Sequence, residues 1–314
     1  MKKYPSKERN MLSIVVPAYN EEQTLATLVD QLIQTLNENS ITGEIVIVDD
    51  GSTDETRQIA EKLRKKHRNI RVFHHKRRME KTAALHTGFE NSSGDILAMI
   101  DADLQYAPED LPKLLAKIQQ GYDVVNGWRK HRKDSILKKI PSSIYNFVSR
   151  LSFGMRLHDF NSGLKAFKRE VLEDLNLRRG QHRFLLNIAH HNGYRVGEVE
   201  IQHLAREHGK TKYGISRMFW GFFDLIALRL QLAFTEQPMA LFGLSGIILT
   251  TLGLLAGAYV VALKILFNEP FDRHLALLFL TSLLIIAGIQ TFLFGFIADM
   301  IASLKSEQEE NKRK

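Results

Sequence analysis

The sequence predicts an α/β fold with a mostly parallel sheet, followed by an interfacial amphipathic helix and a two-helix transmembrane hairpin. Three observations carry this. Short apolar runs alternate with amphipathic stretches through the first half. A mixed apolar and charged segment follows them, and two long uncharged runs fill the last quarter. Strand–helix alternation favours parallel strands with helices covering both faces of the sheet.

The elements follow in chain order. Leu12 to Val16 is a buried strand candidate. Leu25, Leu28, Val29, Leu32, Ile33 and Leu36 then recur at helical spacing. Asn20 is placed to cap that helix, with Glu21 and Glu22 near the positive end of its dipole. Ile45 to Val48 reads as a second strand, and Ser52, Thr53, Asp54 and Glu55 as the start of a second helix capped by Ser52. Ile70 to Phe73, Ile96 to Ile100 and Asp123 to Asn126 read as further strands. The predicted organisation is an α/β domain over 1–212, an interfacial helix over 213–237, two spans within 238–304 and a charged tail over 305–314.

The 314 residues carry a formal net charge of +8, with 44% hydrophobic and 25% charged residues. A basic excess points to an anionic partner: nucleic acid, anionic lipid or a phosphorylated substrate. The absence of cysteine excludes disulfides, thiolate zinc sites and cysteine nucleophiles. The apolar run Met11 to Val16 is too short for a secretory signal, and Pro17, Asn20, Glu21 and Glu22 follow at once. The first domain is therefore expected in the cytoplasm.

Met239 to Leu263 is an uncharged run of about 25 residues, roughly 37 Å as a helix and long enough to cross a bilayer with some tilt. Leu275 to Ala298 is a second such run, and Asn268 to His274 is the turn between them. The alternative is a buried hairpin in a soluble core. Lys210, Lys212, Arg217 and Arg229 precede the first run, and Lys305, Lys312, Arg313 and Lys314 follow the second. The positive-inside rule then places both ends in the cytoplasm.

Ligands of such sheets bind beyond the carboxyl ends of the strands. Tyr19-Asn20-Glu21, Asp49-Asp50 and Asp101-Ala102-Asp103 all fall there. In an extended segment Asp101 and Asp103 point the same way. Two close carboxylates call for a compensating cation, and hard oxygen ligands suit magnesium or manganese together with substrate phosphates. Gln105 adds an amide oxygen. Alone, a D-x-D is a weak signal that a solvated loop explains as well; its place after an apolar strand strengthens it. Asp49-Asp50-Gly51-Ser52 is explained equally by a tight turn and by a carboxylate that binds a nucleoside. The clusters Lys62 to Arg68 and Lys76 to Arg78 read as solvated faces. The pairs His74-His75 and His190-His191 lack helical metal spacing and read as structural or surface residues.

The runs Ser13 to Gln23 (SIVVPAYNEEQ), Ile45 to Arg57 (IVIVDDGSTDETR) and Asp101 to Lys113 (DADLQYAPEDLPK) resemble the family 2 glycosyltransferases, which have a GT-A nucleotide-sugar-binding fold. Gly127-Trp128-Arg129, Asp159 to Gly163 (DFNSG), His182-Arg183-Phe184 and Gly209 to Gly214 (GKTKYG) resemble the polyprenyl-phosphate branch. That branch includes dolichyl-phosphate mannose synthases and bacterial enzymes that load sugars onto undecaprenyl phosphate.

The resemblance implies transfer from a nucleotide-sugar to a polyprenyl phosphate in the cell membrane, with Mg2+ or Mn2+. Pro17, Tyr19, Glu21 and Asp50 would bind the nucleoside, and Lys81 the diphosphate. Asp101, Asp103 and Gln105 would hold the metal. Arg129 and Ser162 would receive the acceptor phosphate, and Arg183, Arg206 and Lys212 would close over both substrates. The family pattern often has Gly-Lys where this chain has Glu80-Lys81. From the residues alone, Arg129 is also compatible with a solvated basic stretch, and Ser162 with a turn cap. UDP-glucose or a related UDP-sugar is the favoured donor and GDP-mannose the alternative. A processive polysaccharide synthase fits less well, since two spans are few and no Gln-x-x-Arg-Trp motif occurs. A non-catalytic scaffold fits poorly with the full Asp101, Asp103 and Gln105 set. A nucleic-acid partner is not expected. Assembly of several copies is compatible with a membrane-surface enzyme.

Overall fold

The structure is a computed structural model that describes residues 8–130, 143, 145–150, 153–174, 181–205 and 238–313. The expected interfacial helix over 213–237, and Arg206 and Lys212, lie outside the described residues. The chain divides into two compact units, Met1–Gly221 and Phe222–Lys314.

The first unit is built on seven strands: β1 (Glu8–Ala18), β2 (Gly43–Asp49), β3 (Ile70–His74), β4 (Gly94–Met99), β5 (Val124–Trp128), β6 (Lys165–Lys168) and β7 (Val196–Glu200). They form one sheet in the order β3-β2-β1-β4-β6-β5-β7. All neighbours are parallel except β6, which runs antiparallel to both β4 and β5. The five predicted strands are present. β6 and β7 are additional, and β6 is what makes the sheet mixed.

The register is set by burial. Ile14, Val15 and Val16 of β1 pair with Ile45, Val46 and Ile47 of β2, and all six side chains are fully buried. A continuous apolar run of this sort fits a central strand with both faces covered. Helix α1 (Leu25–Glu38) buries Leu25, Leu28, Val29, Leu32 and Leu36, one helical face, against this core. Helices α2 (Thr56–Lys66), α3 (Lys81–Glu90), α4 (Leu111–Gln119), α5 (Arg169–Asp174) and α6 (Leu185–His191) also belong to this unit.

Two predicted caps are corrected. Helix α1 begins at Leu25 with Thr24 as its N-cap, and α2 begins at Thr56 with Glu55 as its N-cap. Asn20 and Ser52 instead bond to each other's turns. Asn20 N–H donates to Ser52 Oγ at 3.0 Å, and Thr53 N–H donates to Asn20 Oδ1 at 2.9 Å. The side chains that looked like helix caps tie the β1 and β2 exits together, which sets the separation of two walls of the site.

Polar groups fix the opposite edge. Glu44 Oε1 accepts from Ser13 Oγ at 2.7 Å, and Ser13 Oγ accepts from Gly94 N–H at 2.8 Å. The buried Arg169 donates from Nε to Gly94 O and from Nη2 to Ser92 O, each at 2.8 Å. A charged donor in this setting satisfies carbonyls that water cannot reach.

The second unit is a hairpin of α7 (Pro238–Phe267) and α8 (Leu275–Arg313), joined through a 3-10 turn at Phe271–His274. The segments Pro238–Phe267 and Phe271–Leu304 are long and apolar enough to cross a membrane, with mean hydropathies of 2.1 and 2.2. Small residues let the two helices approach closely. A β-carbon at Gly246 would lie 2.6 Å from Gly288 O, and one at Gly253 would lie 2.7 Å from Ile285 Cγ1. Such contacts suit helix pairing in lipid, where apolar area alone gives no preference for a protein neighbour. The large side chains face outward: Leu244, Leu255, Phe279 and Phe294 are all more than half exposed. Helix α8 continues through Arg313, so the charged tail is helical.

Replacing Arg169 with Met should strip both carbonyls of their donors and cost about 2–4 kcal/mol of stability. Denaturant titration of the purified protein checks this; an unchanged midpoint would show that water or neighbours replace the guanidinium.

Candidate active site

The carboxyl ends of β1, β2 and β4 open into one pocket. Pro17, Ala18, Tyr19 and Glu21 form its β1 wall, Asp50 its β2 wall, and Asp101, Ala102 and Asp103 its β4 wall. Arg78, Glu80, Lys81 and Ala84 close it from the start of α3. Three predicted groups, separated by up to about eighty residues of sequence, thus share one cavity because parallel strands leave the sheet on the same side.

Asp50 is held by its neighbours. Its Oδ1 meets His75 Nδ1 at 2.8 Å and accepts from Met79 N–H at 2.8 Å. His75 also bonds through Nε2 to Thr87 Oγ1 at 3.0 Å. His74 bridges Asp49 and Glu61 at 3.2 and 2.9 Å. The histidine pair is therefore structural, and its second member orients a pocket carboxylate. Both bonds to Asp50 use Oδ1, so Oδ2 is the oxygen with capacity for a ligand.

Lys81, the first residue of α3, forms an ion pair with Asp101 Oδ1. Arg78 lies with its guanidinium 4.4 Å from the centre of the Tyr19 ring. This corrects the reading of Lys76 to Arg78 as a purely solvated face: Arg78 is exposed but also lines the pocket. Backbone strain gathers here. Three of the five non-glycine residues with positive φ among those described flank pocket residues: Asn20 (52°), Glu80 (72°) and Leu104 (56°). Glu80, with φ 72° and ψ 161°, occupies a region used almost only by glycine, at a cost of about 1–3 kcal/mol.

Two carboxylates on one wall fit a divalent metal that completes its shell with substrate phosphates. Among the described residues no cluster of three or more acidic or imidazole groups forms a closed metal cage. Gln105 does not line the pocket; its N–H donates to Asp103 Oδ1 at 3.3 Å and its carbonyl accepts from Leu204 N–H at 3.0 Å. In this structure it shapes the Asp103 loop.

Beside Asp101 lies the loop that enters β6. Arg129 is 8% exposed, and its fork grips Asp159 with Nε to Oδ2 at 2.6 Å and Nη2 to Oδ1 at 3.0 Å. It is a buried, oriented group and not a solvated one. Ser162 is buried too, and its Oγ accepts from Leu164 N–H at 3.3 Å, which gives it the turn-closing bond. Gly163 N–H donates to Tyr106 Oη at 2.7 Å. A β-carbon at Gly163 would overlap Asp101 Oδ2 and come within 2.7 Å of Tyr106 Cε2. The loop therefore seats directly on a pocket carboxylate. Burial raises the pKa of Tyr106, which keeps its hydroxyl neutral. Arg183 is half-buried and lies in a 3-10 turn, Gln181–Phe184, that packs against α3.

Sequence reasoning missed Lys165. It is fully buried on β6, and its Nζ donates to the Ser162 carbonyl. Burial pulls its pKa down to about 7, opposed by Asp159 and Asp101 and assisted by Lys81 and Arg129. No local pattern marks this lysine, two residues after Gly163, as buried; the antiparallel pairing of β6 puts it inside.

The comparisons with known proteins now have a structural frame. Residues 13–176 match the pattern of "Glycosyl transferase family 2", and the chain belongs to that family. Its fold is of the GT-A type. The chain is 32% identical over 298 residues to a dodecaprenyl-phosphate galacturonate synthase of Rhizobium johnstonii, covering 93% of this chain and 87% of that protein. It is 31% identical over 315 residues to an undecaprenyl-phosphate 4-deoxy-4-formamido-L-arabinose transferase of Pseudomonas savastanoi pv. phaseolicola, covering 100% and 91%. Among solved structures, it resembles glucosyl-3-phosphoglycerate synthase of Mycobacterium tuberculosis in complex with Mn2+, UDP and phosphoglyceric acid. The TM-score is 0.56 at 22% identity, over 71% of this chain and 78% of that one. The same synthase in complex with Mg2+ and UDP matches equally, with a TM-score of 0.56.

Lys165 carries a pH signature. Between about pH 7 and its ordinary value of 10.5, the unfolded chain holds a proton that the folded chain has released. Stability contributed by this group therefore rises with pH across that window, by up to about 1.4 kcal/mol per unit. Lys165→Met should flatten that part of the stability profile; a profile identical to that of the wild type would mean that Lys165 titrates normally.

Proposed function

We propose that this glycosyltransferase moves a sugar from a nucleotide-sugar, UDP-glucose or a related UDP-sugar, to the phosphate of a membrane polyprenyl phosphate, with inversion at the anomeric carbon. The observation that carries this reading is the contact of two surfaces: the pocket with Asp50, Lys81, Asp101 and Asp103 abuts the Arg129–Asp159–Gly163 loop at Asp101. The names of the two full-length relatives support the acceptor class. UDP with Mn2+ or Mg2+ in the structural neighbours supports the donor and the metal. The two apolar helices support a cell-membrane location, with both termini in the cytoplasm.

Pro17, Tyr19, Glu21 and Asp50 bind the nucleoside, the Tyr19 ring giving the base a flat surface. Asp101 and Asp103 hold Mg2+ or Mn2+, which when bound offsets charge on the departing diphosphate. Lys81 shifts from Asp101 to the diphosphate as the donor arrives. Arg129, oriented by Asp159, receives the acceptor phosphate through its guanidinium. Ser162 lends the same phosphate its hydroxyl. Arg183, Arg206 and Lys212 close over both substrates. A phosphate with a second pKa of about 6 is already largely ionised near neutral pH and needs no strong base. Its oxygen attacks the anomeric carbon in line, and the bond to the diphosphate breaks with its electron pair on the leaving oxygen. GDP-mannose is the second donor to test.

A panel of UDP- and GDP-sugars with undecaprenyl phosphate, scored for lipid-linked sugar, tests the reading. A UDP-hexose should give the largest product, and undecaprenol without phosphate should give none; product from the free alcohol would sink the acceptor assignment. Asp103→Asn should lower turnover by about a hundredfold or more. Chelation should abolish it, with recovery on adding Mg2+ or Mn2+. Full turnover of Asp103→Asn at low metal would remove the metal role.

A further inference from the structure

We propose that Glu80 selects the donor sugar: its carboxylate favours sugars with neutral rings and excludes sugars that bear a ring carboxylate. This rests on the pocket being the donor site, as read above.

The inference starts from a mismatch between backbone and residue. With φ 72° and ψ 161°, position 80 has a conformation in which glycine is at ease and a side chain is strained. The conformation is imposed from both sides. Met79 N–H is tied to Asp50 Oδ1 at 2.8 Å, and Glu80 O accepts from Ala83 and Ala84 N–H at 3.0 and 3.2 Å to open α3. Neither bond requires a side chain at position 80. Backbone geometry alone would thus favour glycine, and this chain carries a glutamate there at the cost of strain. Strain of this sort is kept where the group it presents has a task.

The position says what the task is. Glu80 lines the pocket next to Lys81, with Asp101 and Asp103 opposite. Counting Glu21 and Asp50, the lining holds five carboxylates against two cations, Arg78 and Lys81, a formal charge of −3. A divalent ion leaves −1 before the donor diphosphate brings its own negative charge. One more carboxylate, on the sugar itself, then enters a field already of its own sign. A neutral sugar offers hydroxyl donors to the Glu80 carboxylate instead. Rejection by a built-in like charge is a common route to specificity. Galacturonate, the sugar in the name of the Rhizobium relative, is the kind of donor that Glu80 would turn away.

Binding of matched donor pairs by calorimetry, with Mn2+ and no acceptor, tests this on the full-length protein in detergent. The pairs are UDP-glucose with UDP-glucuronate and GDP-mannose with GDP-mannuronate. For the pair whose base the protein accepts, the wild type should bind the neutral sugar about tenfold or more tightly. Glu80→Gln and Glu80→Gly should both bring the two affinities to within about threefold, mainly by tightening the uronate. Melting separates charge from strain: Glu80→Gly should melt higher than the wild type, and Glu80→Gln should not. A ratio unchanged in both variants, equal binding of both sugars by the wild type, or binding of neither overturns the proposal. Lipid-linked product is scored separately, so donor binding with a charge-dependent ratio but no transfer to polyprenyl phosphate would defeat the acceptor reading and leave this one standing.

Discussion

Asp101 touches two halves of the site at once. One oxygen holds the Lys81 ammonium at the start of α3, and the other lies so close to Gly163 that no β-carbon fits between them. Everything else at the site is arranged around that carboxylate. Tyr106 holds Gly163 down by its amide, Arg129 and Asp159 anchor the same loop one turn earlier, and Lys165 ties its carbonyl from beneath. A shift of Asp101 towards a metal or away from Lys81 must therefore be felt by the neighbouring loop, since a packed contact transmits displacement.

Much of this was legible in the sequence, because it depended on local pattern. Apolar runs gave the five parallel strands, and the polar residues just beyond three of them gave the pocket walls. Helical periodicity gave the buried face of α1 almost residue for residue. Uncharged length gave the two apolar helices. These are properties that a short window of chain expresses by itself.

What escaped was non-local. β6 is four residues long and bounded by lysines, so nothing in its composition announces a central strand. Lys165 carries no local mark of burial, and its pairing with β4 and β5 places it inside. His75 and Arg78 are ordinary polar residues whose tasks come from register, one beside Asp50 and the other above Tyr19. Asn20 and Ser52 met the rule for helix caps, yet each found a better partner across the sheet edge than along its own chain. Ser162 and Arg129 show the converse. Their motif drew attention to the loop beside Asp101, while burial and the bidentate pair with Asp159 gave them a structural task alongside the proposed one.

The reversed direction of β6 has a consequence for how such a protein can diversify. Loops that leave β1, β2, β3 and β4 are shared property: each leads into a helix that covers the sheet, so changing one disturbs the framework. The segment ahead of β6 arrives at the same rim travelling the other way. Its last described part, Asp159 to Leu164, runs into a strand and not into a helix. One inverted strand thus brings a further loop to the rim of the pocket from the opposite direction, tied to it where Gly163 meets Asp101 and Tyr106.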